Sequence, residues 1–292
     1  MRVPCAYRTK LASAVVCLAL AAGVCAAVAA DATAHAAVTK TRSATVWAVG
    51  DAYPSARGVA LAALVRRARP DLFLYLGDVY ETGTAAEYLT GYDALYGSLA
   101  ARTVPTIGNH EYGNRATGYQ AYWTAKRGSP MPRWMRRRVA GWEILMLNSQ
   151  APHDAGSPQV RWLRRAVRKR GTCRIALTHR PRFSVGAHGD QLDMDPLWQA
   201  LRGRARLFLS GHDHDLQRLA DRHGIRQIVS GAGGRPNIPV TRDSAVKLRF
   251  AKRTPPGAVR MRLSPGHARI DFVDSRGRLL DRSHVRCRRL GG

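Results

Sequence analysis

Short apolar runs, each closed by a small polar motif, punctuate this chain. Thr45-Val46-Trp47-Ala48-Val49 runs into Gly50-Asp51, and Leu72-Phe73-Leu74-Tyr75-Leu76 runs into Gly77-Asp78. Val104-Pro105-Thr106-Ile107 precedes Gly108-Asn109-His110-Glu111, and Ile175-Ala176-Leu177 precedes Thr178-His179. Leu207-Phe208-Leu209 leads to Gly211-His212-Asp213-His214, and Ile144-Leu145-Met146-Leu147 ends at Asn148-Ser149. Unbroken apolar runs of this length are the pattern of strands buried on both faces. Between them, residues 55–69 place apolar and basic positions at helical spacing and stop at Pro70; residues 159–170 and 196–202 read as further helices. The alternation predicts an α/β architecture.

The C-terminal part reads differently. Residues 259–263 and 268–272, then Leu279-Leu280, form short strand patterns with turns at Pro265-Gly266 and Arg276-Gly277. They predict a closing antiparallel hairpin region, not a second domain. Residues 111–140 read as a long loop whose Tyr112, Tyr119, Tyr122 and Trp123 are available to rim a pocket.

Composition adds little to the fold: 45% hydrophobic and 23% charged residues in a chain of 292 leave room for a sizeable core. The N-terminus is distinctive. Arg2, Arg8 and Lys10 precede an uncharged Ala/Val/Leu run over residues 11–30, with small-residue cleavage candidates at Ala27-Val28-Ala29 and Ala34-His35-Ala36. This predicts a Sec-type signal peptide over residues 1–30, a flexible leader over 31–43, and a secreted product. The alternative is an uncleaved membrane anchor, which the Ala-rich composition disfavours. Removing the signal takes Cys5, Cys17 and Cys25 with it and leaves Cys173 and Cys287, an even pair predicted to form a disulfide that pins the last strand to the core.

The formal net charge is +27, carried almost entirely by arginine. Such a surface attracts anions non-specifically, from nucleic acids to anionic wall polymers and phosphate esters. The arginines are spread along the whole chain, so the charge marks no particular partner.

The candidate chemistry sits at the ends of the apolar runs. Asp51, Asp78, Asn109, His179, His212 and His214 offer carboxylate, amide and imidazole donors, with His110 and Glu111 beside them. Carboxyl ends of strands are where open α/β sheets build their sites. This inventory suits two adjacent metal ions acting on a phosphate ester.

With Gly-Asn-His-Glu, Gly-His-Asp-His and two earlier Gly-Asp strand ends in this order, the chain from residue 44 to the C-terminus resembles the calcineurin-like metallophosphoesterases. Within them it is similar to the secreted bacterial enzymes that resemble purple acid phosphatases. The resemblance implies a four-layer α-β-β-α sandwich of two mixed β-sheets flanked by helices, forming a catalytic domain over residues 44–292. It implies two metal ions, of iron, zinc, manganese or a similar element, bridged by Asp78. Asp51 and His214 would bind the first; Asn109, His179 and His212 would bind the second. His110 would face the phosphate, oriented by Glu111, and His188, nine residues after His179, would contact substrate. Arg180 and Arg182 are further candidates for phosphate contact.

Two positions depart from the pattern. Purple acid phosphatases place a metal-binding tyrosine three residues after the bridging aspartate; here that position is Glu81, with Tyr80 one residue earlier. Relatives with Asp-x-His in the first motif have histidine where this chain has Tyr53. The first metal thus gains a phenolate from Tyr53, from Tyr80, or from neither. The activity implied is hydrolysis of phosphate monoesters by metal-activated water. The alternatives are a phosphodiesterase or nucleotidase on the same site, and a secreted anion-binding protein whose site has lapsed. No obligate protein partner is evident in the sequence.

Overall fold

Alternation within each strand decides which layer its side chains meet. Ile144 and Met146 join one buried cluster, while Leu145 and Leu147 join another. The same split separates Ile175 and Leu177 from Ala176, and Leu207 and Leu209 from Phe208. Both faces of these strands are therefore dry, as expected where a sheet is covered on both sides.

The computed structural model describes residues 43–236, 239–240, 243–254 and 256–287. The signal peptide and all but the last residue of the leader lie outside the described residues. The strands are, in chain order, β1 (Ala44–Val49), β2 (Leu72–Tyr75), β3 (Thr103–Pro105), β4 (Met135–Val139), β5 (Trp142–Met146), β6 (Cys173–Leu177), β7 (Leu207–Ser210), β8 (Leu216–Arg222), β9 (Ile225–Ser230), β10 (Leu248–Lys252), β11 (Gly257–Ser264), β12 (His267–Asp274) and β13 (Leu279–Arg286). One sheet has the order β13-β12-β11-β1-β2-β3 and the other β10-β8-β9-β7-β6-β5-β4. β1, β2 and β3 are parallel, as are β5, β6, β7 and β9, and antiparallel strands extend both sheets. The expected sandwich of two mixed sheets flanked by helices is the observed fold.

The first cluster takes residues from both sheets, among them Val46, Ala48, Leu74, Ile144, Ile175, Leu209 and Phe272, and so fills the space between them. The second lies under the helices Pro158–Ala166 and Asp195–Leu201, which cover the outer face of the seven-stranded sheet. On the other sheet, Phe73 and Tyr75 turn toward Tyr92 and Tyr96, with ring centroids 4.8 Å (Phe73–Tyr96) and 4.6 Å (Tyr75–Tyr92) apart. Helix Ala56–Arg67 starts where Ser55 Oγ accepts from Gly58 N and buries Leu61, Ala62 and Val65.

Residues 111–140 correct the sequence reading. They hold helix Thr117–Arg127 and strand β4, and Tyr119, Tyr122 and Trp123 are buried in the core rather than rimming a pocket. Tyr112 alone of that group is exposed. The tail behaves as expected: β11, β12 and β13 form an antiparallel meander beside β1. Cys287, just past β13, is bonded to Cys173 at the start of β6, with Cα atoms 5.6 Å apart, so the disulfide links one sheet to the other.

Asp271 anchors the meander. It sits on β12 in register with Arg260 on one side and Arg282 on the other. Arg282 Nε donates to its carboxylate at 2.7 Å and Arg260 Nη2 at 2.9 Å. Burial opposes the charge, but these two arginines outweigh it and hold the carboxyl below the usual aspartate range. A carboxyl whose pKa falls on folding contributes stability above its unfolded pKa of about 3.9 and loses it as pH drops through the lower folded value. Asp271→Asn is therefore expected to lower stability by about 1–2 kcal/mol at pH 7 in urea unfolding, since the arginines are partly exposed. The difference from wild type should shrink toward pH 3.

Candidate metal centre

Five strand ends from the two sheets meet at one edge of the sandwich. Asp51 follows β1, Asp78 follows β2 and Asn109 follows β3; His179 follows β6 and His212 follows β7. Hydrogen bonds stitch the sheets together there. Gly50 N donates to Ser230 O at 2.8 Å, Ser230 Oγ to Ala48 O at 2.9 Å, and Thr106 Oγ1 to Leu147 O at 2.6 Å.

The backbone at three of these ends is left-handed: φ is 58° at Asp51, 66° at Asp78 and 73° at His212. Non-glycine residues rarely adopt this region, and each instance costs about 1 kcal/mol or more. The turn it makes aims each side chain back across the strand ends. The neighbouring glycines follow from that packing: a Cβ at Gly108 would land on Asp78 Oδ1, and one at Gly211 would lie 2.5 Å from Asp51 Oδ2.

The side chains fall into two groups that share one atom. Tyr80 Oη lies 2.9 Å from Asp51 Oδ1, 3.2 Å from Asp78 Oδ2 and 3.0 Å from His214 Nε2. His179 Nε2 lies 2.9 Å from Asn109 Oδ1, 3.2 Å from His212 Nδ1 and 3.3 Å from Asp78 Oδ2. Asp78 Oδ2 belongs to both. Between the two tyrosines the structure is decisive about position. Tyr80 carries its hydroxyl into the first group, while Tyr53 packs edge-on against Tyr80, ring centroids 6.3 Å apart.

The imidazoles are held by their outer nitrogens. His179 Nδ1 is 2.8 Å from Leu76 O and His214 Nδ1 is 2.7 Å from Pro236 O, which leaves Nε2 of each turned inward. A carbonyl on the far nitrogen is the arrangement that orients metal-ligating histidines. Asp51 is fully buried, and burial pushes its carboxyl well up. Asp78 is held low despite burial, chiefly by His179, which in turn is pushed up to about 9 by Asp78 against its own burial. Burial and the charge on His179 push His212 down, and burial pushes His214 down. The His179 imidazole thus faces the two buried carboxyl groups. Asp51, Asp78 and His179 present ligand atoms within 4.8 Å of one another. Carboxylate, amide and imidazole donors converging in a dry nest fit divalent or trivalent cations.

Other predicted residues take different places. His110 follows Asn109, donates its amide to Asp78 Oδ1 at 3.1 Å, and has Nε2 3.8 Å from Asp78 Oδ2. Its Nδ1 is fixed by Glu81 O at 2.5 Å, not by Glu111. Glu111 is buried and accepts from Asp78 N at 3.1 Å, Gly108 N at 3.0 Å and Tyr88 Oη at 3.0 Å, so it braces the backbone under the centre. His188 does reach the site: its ring stacks on His212 with centroids 4.0 Å apart. Sequence reasoning missed what holds it. Asp213, fully buried between His212 and His214, accepts from His188 Nδ1 at 2.9 Å and His188 N at 3.1 Å. Arg180 and Arg182, the candidate phosphate contacts, are paired with Asp193 and Asp195.

The model of the calcineurin-like phosphoesterases matches residues 44–216, more than half of the chain. The chain belongs to that family of metal-dependent phosphoester hydrolases, which work with a dinuclear metal centre. A purple acid phosphatase from yellow lupin (Lupinus luteus) seeds superposes with a TM-score of 0.70 at 15% identity, covering 84% of this chain and 54% of the lupin chain. The protein thus spans about half the length of that enzyme. A dimetal phosphatase from Danio rerio gives a TM-score of 0.57 at 14% identity, covering 84% of this chain and 99% of its own. GAP50, described as the anchor in the inner membrane complex of Plasmodium, gives 0.68 at 15% identity, covering 84% and 89%. At these identities the likeness is one of fold. No curated protein matches the chain.

The position of Glu111 yields a prediction. Glu111→Ala leaves two buried backbone N–H groups without a partner, and is expected to cost about 2–4 kcal/mol in urea unfolding. His110→Ala, which removes a half-buried ring, should cost less than about 1 kcal/mol.

Proposed function

We propose that the protein is a secreted phosphatase that hydrolyses phosphate monoesters at a two-metal centre. The observation that carries this reading is the pair of donor groups sharing Asp78 Oδ2. Asp51, Asp78, Tyr80 and His214 would hold one ion, and Asp78, Asn109, His179 and His212 the other. Bound ions would supply a water whose pKa is lowered to about 7 and would neutralise charge on the phosphoryl oxygens. Iron, zinc and manganese all suit these donors, and a Tyr80 phenolate favours a trivalent ion such as ferric iron.

The remaining chemistry belongs to side chains around the nest. His110 and His188 each have Nδ1 fixed by an acceptor, so each offers Nε2 to a substrate. His110 faces Asp78, where its imidazolium form would donate from Nε2 to a phosphoryl oxygen or to the leaving oxygen. His188, held by Asp213 against His212, would do so from the other side. Left-handed backbone at Asp51, Asp78 and His212 holds the donors in place before substrate arrives, so no reorganisation is needed at the moment of reaction.

Secretion is supported by the basic and apolar N-terminal pattern and by the Cys173–Cys287 disulfide, which suits an oxidising compartment. Monoester preference is supported by the phosphatases among its fold relatives. The fold alone does not decide, because one relative is described as an anchor; the complete donor set favours an enzyme over a lapsed anion-binding protein.

With metal bound, the protein is expected to turn over p-nitrophenyl phosphate faster than bis-p-nitrophenyl phosphate. His110→Ala should retain its metal and lose about 10²–10⁴-fold in kcat. A faster diester rate would assign the site to phosphodiesters, and a fully active His110→Ala would remove that residue from the chemistry.

A further inference from the structure

Arg180, Arg182 and Arg235 stand near the candidate centre, and the first two are engaged away from it. Arg180 forks onto Asp193 with contacts of 2.7 and 3.0 Å. Arg182 donates to Asp195 at 3.0 Å and lies over the Phe183 ring at 4.3 Å. Arg235 is placed differently. Its guanidinium lies 4.3 Å over the ring of Tyr80, the residue whose hydroxyl touches Asp51, Asp78 and His214.

The backbone around Arg235 is fixed to the centre. Arg235 N donates to Asp51 O at 3.3 Å, Gly233 N to Gly50 O at 3.1 Å, and Pro236 O takes His214 Nδ1 at 2.7 Å. The loop therefore carries its cation on a frame that the metal donors themselves hold. The side-chain partner is Glu81, which Arg235 meets with a two-pronged ion pair of 2.5 and 2.8 Å. Glu81 is 56% exposed and Arg235 24% exposed. Glu81 follows Tyr80 directly, and its carbonyl fixes His110. The pair thus closes over Tyr80 beside the centre.

An exposed ion pair of this kind contributes little to stability. A planar guanidinium forked onto a phosphoryl dianion makes a charge-assisted, two-point contact that is considerably stronger. Phosphate can therefore displace Glu81 as the partner of Arg235. Resting on the hydrolase reading above, we infer that Arg235 is a phosphate-binding residue for the transferred phosphoryl group. Glu81 is its internal competitor, a carboxylate that occupies the guanidinium until substrate arrives and lowers the affinity for phosphate. This gives the pair opposite signs: loss of Arg235 weakens phosphate binding, while loss of the Glu81 charge strengthens it.

Calorimetric titration of inorganic phosphate into the full chain loaded with Mn²⁺ tests this without requiring turnover. Metal content and thermal midpoint are measured on each variant. Arg235→Gln is expected to weaken phosphate binding about 10-fold or more. Glu81→Gln should tighten it by about 2–5-fold, and Arg235→Lys should fall between wild type and Arg235→Gln. Should Arg235→Gln fail to fold, the sign of the Glu81→Gln effect and the Arg235→Lys value decide. Unchanged affinity in Arg235→Gln overturns the inference. So does weaker binding in Glu81→Gln, which would mean the pair only clamps the loops, and so does a wild-type chain that binds no phosphate. A wild type that binds phosphate with the expected variant pattern but hydrolyses no ester would contradict the hydrolase reading and leave the Arg235 assignment in place.

Discussion

Two carboxylates buried at the seam between the sheets govern this structure. Asp51 and Asp78 have essentially no contact with water, and burial together with the charge of Asp78 opposes ionisation of Asp51. Taking a carboxylate out of water costs several kcal/mol even after relaxation, so such a pair persists only where positive charge is supplied. Protein groups supply a part of it: His179 carries charge against Asp78, Tyr80 donates to both, and the amides of His110 and His212 donate to Asp78 and Asp51. The remainder is the reason to place cations there.

Much of the surrounding architecture follows from that constraint. Left-handed backbone at Asp51, Asp78 and His212 is unfavourable in itself, and glycines at 108 and 211 are needed so that the carboxylates have somewhere to sit. Glu111 is buried under the centre, where it holds Asp78 and Gly108 by their amides. The stitching between β1 and β9, and the disulfide between the start of β6 and the end of β13, keep the two sheets from sliding apart. Sliding would separate donors that come from different sheets, since Asp51, Asp78 and Asn109 belong to one and His179 and His212 to the other.

The parts legible in the sequence are those written locally. Apolar runs ending in Gly-Asp, Gly-Asn-His-Glu and Gly-His-Asp-His located β1, β2, β3, β6 and β7 and the side chains at their ends. What was not legible depends on neighbours far along the chain. Whether Tyr53 or Tyr80 reaches Asp51 is set by how two strand ends splay, and Arg235 approaches Tyr80 from a loop more than a hundred residues away. Some signals were present but passed over. Tyr119, Tyr122 and Trp123 have the i, i+3, i+4 spacing of a buried helix face, which marks a helix inside residues 111–140. Glu111 stands three residues after Gly108, the spacing of a glutamate that turns back to cap a helix start.

A two-ion site with Asp78 as the shared ligand has a direct signature in metal uptake. It is tested most directly by titrating metal-stripped protein with Mn²⁺ or Zn²⁺ while following stoichiometry and thermal midpoint, for wild type and Asp78→Asn. Two equivalents are expected per wild-type chain with a rise in midpoint, because an ion that binds only the folded state stabilises it. Asp78→Asn is expected to lose both equivalents together. Uptake of one ion or none by the wild type, or an Asp78→Asn chain that still binds two, would contradict it.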